Sequence, residues 1–362
     1  MPKIYLTVTT DLTFDQRMIR ICTSLAGAGY SIVLVGRIQK FSIPLSTKPF
    51  EQKRINCLFN KGKLFYAEYN IRLFFYLLFK KMDCICAIDL DTILPCLFIS
   101  QIKNVKRVYD AHELFCEMKE IVTRQAIYKS WKKIERYAVP KFKLGYSVNE
   151  PIALEFKKMY GLNYQVIRNI AVLRILPPVV KKEKFILYQG AVNEARCFET
   201  LIPAMKQVNC LLIICGEGNF YAQAKKLVAE NGLAEKVIFK GRIEPDALRL
   251  ITRSAHVGIT LFERQCLSNY YSLANRFFDY MHAGVPQLCV DFPLYNAIND
   301  KYQIALLAND TGEANISLLL NELMNDDILY KMLQQNCNNA SNELNWQQEE
   351  KILIHFYKNI FE

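Results

Sequence analysis

The sequence predicts an α/β protein made of two doubly wound domains that face a cleft. Three observations carry the prediction. The chain has 362 residues, more than one hydrophobic core of ordinary size encloses. Apolar strand-like runs alternate with helix-period runs, and that alternation occurs twice. Between the two series lies 174–184, RILPPVVKKEK, rich in proline and lysine as a linker is. The expected division is therefore 1–173, a linker at 174–184, a second domain at 185–345, and a C-terminal helix, 346–362, packing toward the first domain.

Composition excludes several classes. Hydrophobic residues make up 51% and charged residues 22%, a globular mixture. No apolar run approaches the ~18 residues that span a bilayer. The N-terminus, MPKIYLTVTTDLTFDQ, runs from a strand straight into an acidic loop and has no cleavage site of small residues, so cytoplasmic residence is the default expectation. The 12 cysteines include no C-x-x-C pair, and the histidines are far apart, which argues against zinc and against a disulfide framework. The net charge of +11 is dispersed and accompanied by no nucleic-acid motif. It points instead to an anionic membrane surface or polyanionic small substrates.

The first series opens with strand Ile4–Val8, a polar loop, and a helix whose apolar face is Met18, Ile21, Cys22 and Leu25. Strand Ser31–Val35 follows. Asn70–Met82 is dense in aromatics and ends in Lys80 and Lys81. It reads first as a helix buried on the sheet, and alternatively as an interfacial helix with its lysines at lipid headgroups. Strand Cys84–Ile88 runs into Asp89-Leu90-Asp91, either a metal and diphosphate site or caps of the next helix. Strand Val105–Tyr109 ends in Asp110-Ala111-His112-Glu113. Ionisable groups at the carboxyl end of a parallel strand suit a ligand site, while a capping Asp110 with a packed His112 is the plain alternative. Helix Thr123–Tyr137, strand Leu144–Val148, a helix from Pro151 and the stretch Val166–Asn169 complete the series.

The second series is strand Phe185–Gln189 with a loop from Gly190 to Arg196, strand Leu211–Cys215 with Gly216-Glu217-Gly218, and strand Val237–Lys240 with Gly241-Arg242. Strand Val257–Phe262 comes next, and then NYYSLANRFFDYMHAGVPQLCVDFP, residues 269–293. There Leu273, Phe277, Tyr280 and Met281 form a helical apolar stripe, and Ser272, Asn275, Asp279 and His282 form a polar one beside Arg276. Ser272 reads as the N-cap and Gly284 with Pro286 as the stop; Gln287–Val290 reads as a buried strand. Such a helix N-terminus suits a phosphate, and Asp279 suits the two hydroxyls of a ribose. Three further helices are expected near Gly312, Asp326 and Trp346.

Seven segments in order, DLTFDQRMIRICTSLAGAGY, VYDAHELF, VIRNI, LYQGAVNEAR, CGEGN, VIFKGRI and YSLANRFFDYMHAGVP, resemble the family 4 glycosyltransferases of the GT-B fold, which pairs two Rossmann-like domains. The resemblance covers essentially the whole chain. It implies a retaining, metal-independent hexosyltransferase without a resident cofactor, using a nucleotide-diphosphate sugar as donor and a glycan or lipid-linked acceptor in cell-surface polysaccharide synthesis. A cytoplasmic enzyme at the inner face of the plasma membrane is the corresponding expectation.

By the same resemblance Arg196 grips the donor diphosphate, with Gly190 admitting the backbone, and Asp279 holds the ribose as the second carboxylate of the family's E-x7-E signature. Glu217, Gly241, Arg242 and Ile243 line the nucleobase pocket. Ser272, Asn275 and Arg276 complete the donor site, and His112 stands beside the transferring sugar, orienting a hydroxyl or shuttling a proton. Two departures stand out. Tyr271 occupies the position of the first carboxylate, for which Glu263 is the nearest substitute, and Ala191 replaces an arginine, shifting diphosphate contact to Arg196 and Arg276. Three rivals remain: a nucleotide-sugar 2-epimerase, a non-catalytic sugar-nucleotide or glycan-binding subunit, and metal-dependent transfer through Asp89 and Asp91.

Overall fold

The structure is a computed structural model describing residues 1–13, 15–40, 42–174, 184–264 and 267–362. All but the two ends of the predicted linker lies outside the described residues. Two compact units emerge, one of Met1–Asn169 with Glu349–Glu362, the other of Ile170–Gln348.

The first unit is a parallel sheet of seven strands: β1 (Lys3–Thr7), β2 (Ser31–Arg37), β3 (Glu51–Ile55), β4 (Cys84–Ile88), β5 (Lys106–Ala111), β6 (Leu144–Ser147) and β7 (Gln165–Val166). Their order is β3-β2-β1-β4-β5-β6-β7. Every residue of β4 is buried, as a central strand covered on both faces requires. Helix Gln16–Gly27 buries Met18, Ile21, Cys22 and Leu25 on the sheet, and Asp15 caps it by accepting from the Met18 amide at 3.1 Å. The order reverses between β1 and β4, so the crevice at their carboxyl ends is the topological switch point where such sheets bind ligands.

The second unit is a parallel sheet of six strands: β8 (Phe185–Gln189), β9 (Leu211–Cys215), β10 (Val237–Gly241), β11 (Val257–Thr260), β12 (Gln287–Val290) and β13 (Ala305–Ala308). Their order is β10-β9-β8-β11-β12-β13, with the switch point between β8 and β11. The C-terminal helix Trp346–Phe361 begins in this unit and ends in the first. There Phe356 packs edge-on against Tyr146 at 5.2 Å between ring centres, and Lys106 donates to the Ile360 carbonyl at 2.6 Å.

Several elements differ from the sequence reading. β3, EQKRI, is an edge strand with one buried residue, so it carries no apolar period. β13 and helix Pro293–Tyr302 were not expected. The aromatic helix is longer, Gly62–Leu78. Asp89 and Asp91 cap nothing through their side chains. Ser272 is not an N-cap either: its amide and hydroxyl both bond to the Asn269 carbonyl, at 3.1 and 2.9 Å. That turn delays the helix to Asn275–His282, with Ala274 as its cap.

The loops after β8, β9 and β10 close on one another through glycines. Gly216 donates its amide to the Gly241 carbonyl at 2.7 Å. Its φ is +147°, and a Cβ there would sit 1.8 Å from the Gly190 carbonyl oxygen. Gly232, also left-handed at φ +67°, has open space around it. Gly216→Ala is therefore expected to cost the about 1–3 kcal/mol of a disfavoured backbone conformation plus a clash, and Gly232→Ala only about 1 kcal/mol. Denaturant unfolding of the two variants checks the order, and equal losses would contradict it.

Candidate functional site

In the first unit a charge cluster fills the carboxyl ends of β4 and β5. Asp110, the fifth residue of β5, is fully buried and pairs with Arg17 of the first helix, Nη2 to Oδ1 at 2.9 Å. Arg17 also donates Nη1 to the Ile167 carbonyl at 3.2 Å, and its Nε lies 2.9 Å from His112 Nε2. That same His112 nitrogen is 3.1 Å from Asp110 Oδ2. Its Nδ1 is 3.5 Å from Asp89 Oδ2, and the His112 amide donates to Asp89 Oδ1 at 2.8 Å. Asp89 holds this position at a left-handed φ of +53°, a conformation that costs energy and clusters at functional sites.

The chemistry of the cluster follows from its charges. Burial disfavours the His112 imidazolium, but Asp110 and Asp89 outweigh it and raise the ring to about 9. Burial likewise works against ionised Asp110, yet Arg17 and His112 hold its carboxyl below the ordinary range. Asp91, which accepts from the Thr9 hydroxyl, is pushed up to about 7 by burial and then by neighbouring Asp89. As an imidazolium His112 donates Nε2–H to Asp110; as the Nδ1–H tautomer it accepts from Arg17. Both ring nitrogens are engaged, and the Nδ1 edge, with the 3.5 Å contact, is the looser one to offer a substrate hydroxyl.

Two outcomes follow. His112 has its pKa raised from 6.5 to about 9, so its contribution is whole below the lower value and disappears as pH rises through the upper one. Stability should fall across that window by up to about 1.4 kcal/mol per pH unit. His112→Gln should flatten the fall, as urea melts at several pH values will show. Arg17→Met strands a buried carboxylate and should cost about 3–5 kcal/mol.

In the second unit the switch point gathers a different set of groups. Arg276, on the second residue of helix Asn275–His282, is 7% exposed. Its guanidinium lies over the Tyr188 ring at 4.6 Å and the Phe262 ring at 4.7 Å. Nη1 donates to the Tyr188 hydroxyl at 3.0 Å and to the Gln189 carbonyl at 3.4 Å. Nε and Nη2 are buried and meet no hydrogen-bond partner among the described residues. Above it is Gly190, where a Cβ would stand 3.3 Å from Arg276 Nη1.

Arg196 comes to the same place from the loop after β8, with its guanidinium 4.6 Å from the Phe262 ring centre. Its Nη1 donates to Asn269 Oδ1 at 3.0 Å. Ala195 and Cys197 flank it at left-handed φ of +62° and +57°. Two guanidinium groups against one phenyl ring, in a site with unspent buried donors, make an anion-binding arrangement. Asp279 adjoins it, accepting from Gln189 Nε2 at 3.0 Å, and Gln189 Oε1 in turn accepts from Thr252 at 2.6 Å.

The remaining predicted residues distribute as follows. Gly190, Arg196, Arg276 and Asp279 come together. Glu263 ties to that loop through its amide, which donates to the Ala195 carbonyl at 3.2 Å. Glu217 and Gly241 meet across neighbouring loops, a Gly241 Cβ falling 3.5 Å from Glu217 Oε1. Arg242 is exposed, and Ile243 packs on a small apolar cluster that includes Leu187 and Tyr280. Ser272 and Arg196 both bond to Asn269, and Asn275 is exposed on the helix. His112 belongs to the first unit. Sequence reasoning missed Arg17, Tyr188, Gln189, Phe262 and Asn269. Gln189 alone carried a signal, as a polar residue ending an apolar strand, FILYQ.

Solved structures of GT-B glycosyltransferases share the fold. The sucrose-phosphate synthase of Thermosynechococcus elongatus superposes with a TM-score of 0.81 at 16% identity, covering 100% of this chain and 99% of that one. HepE of Anabaena in complex with UDP-glucose gives 0.77 at 12% identity, over 99% and 100%. WaaG, a glycosyltransferase involved in lipopolysaccharide biosynthesis, gives 0.71 at 14%, over 97% and 98%. No curated protein matches the chain by sequence. Residues 175–340 match the family described as glycosyl transferases group 1. Residues 175–340 thus resemble the group 1 glycosyl transferases, and the chain as a whole has the GT-B fold.

Proposed function

We propose that the chain transfers a hexose-type sugar from a nucleotide-diphosphate sugar to a glycan or lipid-linked acceptor, with retention and without a metal, in cell-surface polysaccharide synthesis. The observation that carries the donor half is Arg276, a buried cation with two donors unspent beneath a glycine. A diphosphate supplies the oxygens those donors lack. The structural neighbours HepE, bound to UDP-glucose, and TarM of S. aureus, bound to UDP, make uridine diphosphate sugars the first donors to try.

In this mechanism the bond from the anomeric carbon to the diphosphate breaks, one to the acceptor oxygen forms, and the acceptor's hydroxyl proton passes to the departing diphosphate oxygen. Arg276 and Arg196 stabilise the charge that grows on the leaving diphosphate, an effect that preorganised donors in a dry site deliver strongly. Gly190 lets the backbone approach the phosphates. Asp279, fixed by Gln189, takes the ribose hydroxyls, and Glu263 serves the sugar hydroxyls in place of a carboxylate at Tyr271. Glu217, Gly241, Arg242 and Ile243 contact the base, and Ser272 and Asn275 border the phosphates. His112 orients a sugar hydroxyl through its Nδ1 edge.

Tyr271 keeps one other reading in play, a subunit that binds sugar nucleotides without turning them over. Thermal shifts with UDP-, GDP-, ADP- and CDP-sugars, followed by acceptor-dependent release of nucleoside diphosphate with and without EDTA, separate the two. One nucleotide class should stabilise the wild type and lose its effect in Arg196→Ala and Asp279→Ala. Arg276→Met should lower kcat/KM by about 10²–10³. Binding with no turnover over any acceptor would favour the subunit, and turnover abolished by EDTA would remove metal independence.

A further inference from the structure

We propose that helix Gly62–Leu78 and the turn before it form a surface that docks on an anionic lipid bilayer. The helix buries Phe65, Tyr69, Leu73 and Leu77 against the first unit. A second apolar stripe faces the opposite way. Leu64, Ile71 and Phe75 are 52%, 58% and 56% exposed, and Phe79, just past the helix end, is 81% exposed. Their spacing of seven, four and four residues keeps them on one face. Leu58 and Phe59, at 79% and 45% exposure, join that face. Glu68, which lies between Leu64 and Ile71 on the stripe, accepts from the Leu58 and Phe59 amides, each at 2.9 Å.

The charges around the stripe choose its occupant. Lys61, Lys63, Arg72, Lys80 and Lys81 border it. The one acid on the helix, Glu68, is committed to the two amides and to Arg72 at 2.8 Å. An apolar face with aromatic residues and a lysine rim is the composition that lies in a bilayer interface, where lysine stems follow the apolar surface and their heads reach lipid phosphates. A second copy of the chain would set one basic rim against another in a two-fold interface, since each copy contributes the same patch. No helix among the described residues is long and apolar enough to cross a membrane, so the contact is with a surface. The inference locates the membrane contact that a lipid-linked acceptor calls for, and it rests on exposure and charge alone, independent of transfer activity.

The test is co-sedimentation of the full chain with vesicles of phosphatidylcholine, alone or containing a quarter phosphatidylglycerol. The wild type should pellet with the anionic vesicles and not the neutral ones, less so at high salt. Phe75→Ser with Phe79→Ser should weaken binding at least tenfold, and Lys80→Gln with Lys81→Gln several-fold. Unchanged unfolding midpoints and unchanged shifts with UDP establish that the variants are folded and keep donor binding separate. Absence of pelleting, equal pelleting with neutral vesicles, or wild-type binding by the Phe75/Phe79 variant would overturn the proposal. So would a dimer in sedimentation velocity that the serine substitutions dissolve while vesicle binding is absent.

Discussion

A guanidinium buried with two donors unspent is costly on its own, because each orphaned polar group forfeits its hydration. Arg276 is such a group, and the second unit is arranged around it. Tyr188 and Phe262 supply ring faces, the Gln189 carbonyl takes one donor, and Gly190 leaves the space a side chain would fill. The glycine contacts among the loops after β8, β9 and β10 then fix Gly190 where it stands. In the function proposed above, the donor's diphosphate would complete this cation with Arg196 beside it, and the unit's stability would then rise with ligand.

The first unit solves the opposite problem. Its buried charges are mutually satisfied: Arg17 and His112 stand against Asp110 and Asp89, so the cluster is near neutral without a ligand. Breaking such a set is more costly than its net worth, because removing one member leaves the others buried and uncompensated. Its less buried edge is Asp89, Asp91 and the Nδ1 side of His112. One unit thus holds a charge-balanced polar cluster, and the other a cationic one with donors unspent.

Much of this was legible in the sequence. Fully buried parallel strands such as CICAI and FILYQ read as apolar runs, and each ends where a ligand site can lie. That Gly190, Arg196, Arg276 and Asp279 would come together was legible because motif order and strand ends marked them. Ser272 was misread because Ser272 and Asn269 close a turn of their own, and local side-chain bonding of that kind competes with helix capping. Arg17 looked like a polar position on an amphipathic helix; only the fold brings it to Asp110, a partner 93 residues away. β3 lacked a period because an edge strand buries almost nothing. The unspent donors of Arg276 are a property of packing that no spacing encodes.

In the proposed function Arg276 is held ready for the donor's diphosphate. Calorimetric titration of the wild type and Arg276→Met with a nucleoside and with its diphosphate tests it most directly. The diphosphate should bind the wild type far more tightly than the nucleoside does. In Arg276→Met most of that phosphate-dependent increment should vanish while nucleoside affinity is kept. An increment of equal size in both proteins would contradict it.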